Sequence, residues 1–88
     1  MNHLVLPLTR QQLTRAVSVS IAFEEWRAQP EAPQHAQRVL QAARENGTEF
    51  PDVTVERLAA ALREQPNGHR GVSDVLDMAF SMQAAFNA

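Results

Sequence analysis

Cysteine, lysine and tyrosine are absent from this 88-residue chain, and glycine occurs only three times. Without cysteine there can be no disulfide, thiolate metal site, Fe–S cluster or thiol nucleophile. The glycines, Gly47, Gly68 and Gly71, are too dispersed to form a loop that cradles phosphate. No apolar run approaches the roughly 18 residues of a membrane-spanning helix. The short stretch Leu4-Val5-Leu6 has no positively charged residue before it, so the layout of a secretory signal is missing. A cytoplasmic protein is expected.

Because lysine is missing, every basic residue is an arginine. That bias is expected of a GC-rich bacterial or phage genome, and it also suits protein interfaces, where arginine is enriched. The net charge is −2. Summed by segment, residues 1–30 carry +1, 31–50 carry −1, 51–70 carry 0 and 71–88 carry −2. No segment has the basic field that draws nucleic acid or anionic lipid.

What the chain does have is apolar content, 44% of its residues, which suits a folded domain rather than a disordered one. Proline and glycine divide it at Pro30/Pro33, at Gly47 to Pro51 and at Pro66-Asn67-Gly68. The connections are short and nothing repeats, so residues 1–88 read as one small all-α domain. The expected architecture is a compact bundle of about four helices, or a homodimer of such helical protomers.

The first helix is expected over Arg10–Ala28, opened by a capping box in which Thr9 caps and Gln12 stands three residues on. Val17, Val19, Ile21 and Phe23 alternate with small residues, and a strand over residues 15–23 is the competing assignment. As a helix it carries two apolar stripes, Leu13/Ala16/Val17/Ile21 and Val19/Ala22/Phe23/Trp26, where a surface helix needs one.

A second helix is expected from Pro33 to about Asn46, stopped by Gly47. A third, from Thr54 or Val55 to Gln65, places Val55, Leu58, Ala59 and Leu62 on one face. The fourth is expected to start at Ser73 as N-cap, with Asp74 and Asp77 in its first turn, and to run to about Phe86. Val75, Leu76, Met78, Ala79, Phe80, Met82 and Phe86 cover more than half of its circumference. No charge follows Asp77.

No constellation points to catalysis, and no enzyme activity is expected. His3, His35 and His69 stand in separate segments without metal-ligand spacing, so they read as exposed or loop histidines and no metal is expected. Glu24 and Glu25 are adjacent and diverge by about 100° on a helix, which separates their carboxylates. No cofactor is implied.

Two functions compete. Residues 55–81 resemble a helix-turn-helix, with the alanine-bearing helix at Val55–Leu62 and Gly71-Val72-Ser73 in the position of the turn. That resemblance implies a DNA-binding transcriptional regulator. Yet residues 63–70 lie between Leu62 and Gly71, where the motif allows a turn of three or four. The reading helix would also begin with two acids and offer no arginine or lysine to bases or phosphates.

The surplus apolar surface favours the other function, a non-enzymatic protein–protein interaction module. It would be a small regulator (inhibitor, anti-activator or adaptor) that docks an apolar helical face on a partner protein or on a second copy. The candidate contacts are Val19, Phe23, Trp26, Arg27, Met78, Met82 and Phe86, residue types that anchor or rim interfaces.

Overall fold

The computed structural model describes residues 8–65 and 71–88; His3 and His69 lie outside the described residues. Within them the chain is all-helical, with five helices and no strand: α1 (Arg10–Ser20), α2 (Phe23–Arg27), α3 (Ala32–Glu45), α4 (Val55–Arg63) and α5 (Val72–Asn87).

The capping box at the start of α1 forms as expected. Gln12 N–H donates to the Thr9 hydroxyl at 3.1 Å, and Thr9 N–H donates to Gln12 Oε1 at 3.0 Å. The strand assignment fails, because residues 15–20 are helical.

The single helix expected over Arg10–Ala28 is instead two. Ile21 and Ala22 are extended (φ −104°, ψ 108° and φ −63°, ψ 147°), although no proline or glycine is present. The two apolar stripes supply the reason. At about 100° per residue, an uninterrupted helix would point Trp26 roughly 180° away from the mean direction of Leu13, Val17 and Ile21. Those three are buried in the core. Breaking the helix after Ser20 lets Trp26 turn back onto α3, and it leaves Val19 and Phe23 outside.

α3 begins one residue before the expected position, with Pro33 in its first turn. It ends in a full Schellman motif: Gly47 N–H donates to Arg44 O at 3.0 Å and Thr48 N–H to Ala43 O at 2.9 Å. Gly47 adopts φ +87°, which glycine tolerates best. α4 is capped by the Thr54 hydroxyl, which accepts from Arg57 N–H at 3.1 Å.

The N-cap of α5 is Gly71, not Ser73, and it makes no side-chain cap hydrogen bond. Val72 is already helical, so Ser73 falls within the first turn.

The buried residues form one cluster. Leu13, Val17 and Ile21 of the first segment meet Ala36, Val39, Ala42 and Ala43 of α3, Leu58 and Leu62 of α4, and Val75, Leu76 and Ala79 of α5. Small side chains on α3 let its neighbours approach closely: it packs against α1, α4 and α5. α5 likewise packs against α1, α3 and α4, while α2 has no buried residue. Phe50, just beyond α3, meets Phe80 of α5 edge to face at 5.0 Å between ring centroids. No helix among the described residues is long and apolar enough to cross a membrane.

Candidate protein-binding surface

The seven candidate contacts fall on two faces. Val19 stands in the last turn of α1 and is 80% exposed, and Phe23 opens α2 and is 69% exposed. Four residues of chain cannot span more than about 14 Å, so both exposed residues stand at the same bend. The Arg27 guanidinium lies over the Phe23 ring at 5.6 Å. Arg27 also lines a shallow depression with Glu24 and Ala28. Arg15, one turn before Val19, is exposed. Neither Arg15 nor Arg27 forms an ion pair among the described residues. The corner therefore has an apolar centre with two uncompensated cations on its rim and Glu24 as the single exposed acid.

Trp26 is half-buried rather than presented with Val19 and Phe23. Its ring stacks on His35 with centroids 4.0 Å apart and an interplanar angle of 10°. His35 is therefore a buried side chain on α3, only 5% exposed, and not the exposed or loop histidine its sequence setting suggests. Its Nε2 lies 3.2 Å from the Trp26 carbonyl. A carbonyl only accepts, so Nε2 carries the proton.

Arg38 secures the other side of the corner. It donates to the Glu25 carboxylate and, at 3.2 Å, to the Ser20 carbonyl at the end of α1. Glu45 stands 3.7 Å away on the other side of the guanidinium. Hydrogen bonding to Glu25, opposed in part by burial, holds the Arg38 pKa above its ordinary value. Asn46 adds a bond from Nδ2 to Ser20 Oγ at 3.3 Å. His35 and Arg38 are the residues that sequence reasoning missed. Their positions one turn apart on α3 offered a signal only once Trp26 was seen to need cover.

The α5 face differs. Met78 and Met82 pack against the core as partly buried residues. Phe86 is 46% exposed, and the Arg57 guanidinium lies over its ring at 4.8 Å. Arg10 lies 4.7 Å from the Phe80 ring centroid and pairs with Asp77 at 3.0 Å, fastening α1 to α5. Much of the apolar circumference of α5 is thus spent inside the molecule or beneath arginine.

Other features offer little chemistry. An open groove between α3 and the start of α4 is lined by Gln37, Leu40, Gln41, Arg44, Val53 and Val55, with one charge and no carboxylate or histidine. Among the described residues, no group of three or more His, Asp or Glu is placed to hold a metal ion. α4 ends at Arg63 and α5 begins at Val72, with residues 66–70 between them outside the described residues. No family model matches the chain, and neither curated proteins nor solved structures show significant similarity to it.

Proposed function

We propose that this protein is a non-enzymatic binding module, a small regulator that docks on a partner protein through the α1–α2 corner. The observation that carries the reading is the exposure of Val19 and Phe23 at one bend of the chain, 80% and 69%. Exposed aromatic and aliphatic anchors beside arginine are the composition of an interface centre and its rim. The fitting partner offers an apolar ridge to Val19 and Phe23 and carboxylates to Arg15 and Arg27. Occupying that ridge would block or organise the partner's surface, which is how a small regulator without catalytic groups acts.

The test is affinity capture of the tagged protein from host lysate, with and without nuclease, beside Phe23→Asp and Val19→Asp. Both variants change exposed positions, and circular dichroism verifies their folding. A nuclease-resistant partner held by the parent chain and lost by both variants supports the reading. A partner retained by both variants, or recovery that depends on nucleic acid, overturns it. Self-association read by light scattering, and lost in the same variants, identifies a second copy as the partner.

A further inference from the structure

We infer that the α1–α2 corner is a hinge with two settings, and that straightening it regulates the docking surface proposed above, on which reading this inference rests. In the bent setting Trp26 is held against His35. In the straight setting α2 continues α1 and adds Trp26 to the exposed stripe.

Four observations carry this. First, the chain from Arg10 to Ala28 holds no proline or glycine, so nothing covalent enforces the bend. Second, the bend forgoes helical hydrogen bonding. Ala22 caps α2 without any side-chain hydrogen bond. In a continuous helix the N–H groups of residues 22–25 would donate to the carbonyls of residues 18–21.

Third, α2 buries no residue fully, Trp26 being only partly covered, and among the described residues the polar contacts that hold it back come from His35 and Arg38 of α3. Fourth, the core does not require the bend. Leu13, Val17 and Ile21 are spaced by four residues and stay on one side of a continuous helix. On that helix Val19, Phe23 and Trp26 fall within roughly 60° of one another, on the opposite side. The straight setting therefore presents a three-residue apolar stripe fit for the apolar face of a partner helix.

The test uses the full chain and two local readouts. Trp26 is the sole tryptophan, so acrylamide quenching of its fluorescence reports its cover. Backbone ¹³C shifts of Ile21 and Ala22 report whether they are extended or helical. Arg38→Gln removes the clamp. It is expected to raise Trp26 quenching several-fold and to move both shifts toward helix.

Ala22→Pro closes the straight setting, because proline inside a helix loses a ladder bond and clashes with the preceding turn. In the Arg38→Gln background it is expected to return the Ile21 shift to extended values and to reduce quenching. Glu25→Gln loosens the clamp from its exposed side and is expected to act like Arg38→Gln, which covers the case where that variant fails to fold.

The inference is overturned if Trp26 becomes accessible while Ile21 and Ala22 stay extended, since α2 then merely frays. It is also overturned if neither clamp variant changes either readout, or if Ala22→Pro fails to reverse the change. Capture by Phe23→Asp reads docking alone and these shifts read the hinge alone, so either idea can fail without the other.

Discussion

The rings of Trp26 and His35 stack 4.0 Å apart, and the same histidine reaches the Trp26 carbonyl through Nε2. One α3 side chain thus holds both the ring and the backbone of a five-residue helix that buries no residue fully. Stacked aromatic pairs contribute about 0.5–1.5 kcal/mol beyond their area, and an intramolecular hydrogen bond contributes about 1 kcal/mol. His35→Ala is therefore expected to lower stability by about 2 kcal/mol. Urea unfolding checks it, with a red-shifted Trp26 emission already present in the folded baseline.

The two described glycines are expected to respond in opposite directions. Gly47 sits at φ +87° in the Schellman turn, so Gly47→Ala meets backbone strain even though no atom lies within 4 Å of a new Cβ. A loss of about 1 kcal/mol follows from the left-handed conformation. Gly71 has φ −139° and ψ 166°, ordinary extended backbone at an N-cap that makes no side-chain hydrogen bond. Gly71→Ser supplies the missing acceptor and is expected to gain a few tenths of a kcal/mol. Paired thermal melts separate the two signs.

Burial also divides residues of similar chemistry. Leu58 is fully buried between α3 and α5, whereas Val19 is 80% exposed. Leu58→Ala should remove about 2–5 kcal/mol through lost transfer energy and a residual cavity. An 88-residue domain has only about 4–13 kcal/mol in total. Val19→Asp should stay within about 0.5 kcal/mol of the parent. Denaturation midpoints distinguish them, and a large loss in Val19→Asp would mean that the face is covered in the folded protein.

Those contrasts show which parts of the molecule were legible in the sequence. The Thr9 capping box, the Gly47 stop and the Val55/Leu58/Ala59/Leu62 stripe are local, and each appears where its spacing put it. Their physics closes within one or two helical turns. The bend at Ile21 was not legible in that way, because it answers to His35 and Arg38 on another helix. Its trace was Trp26, which stands opposite Leu13, Val17 and Ile21 on a straight helix and gains cover from the bend while Val19 and Phe23 stay exposed. On α5, the same excess of apolar residues turned out to be mostly internal. Arg10 and Arg57 lie over Phe80 and Phe86, and a cation–π contact has no sequence spacing to reveal it.

The sharpest prediction sets stability against binding at one residue. Ala22 has φ −63°, the angle a proline ring imposes, and Ile21 before it lies in the extended region that a following proline requires. Ala22→Pro should thus fit the bent chain and restrict the unfolded one, a gain of about 0.4–1 kcal/mol. For a domain of this size that is a rise in Tm of roughly 2–8 °C. If partners take the straightened stripe, the same variant binds more weakly while melting higher. Calorimetric melting beside partner titration separates the alternatives: higher Tm with unchanged affinity means that the bent corner is itself the docking form. Higher Tm with reduced affinity means that binding draws on the straight one.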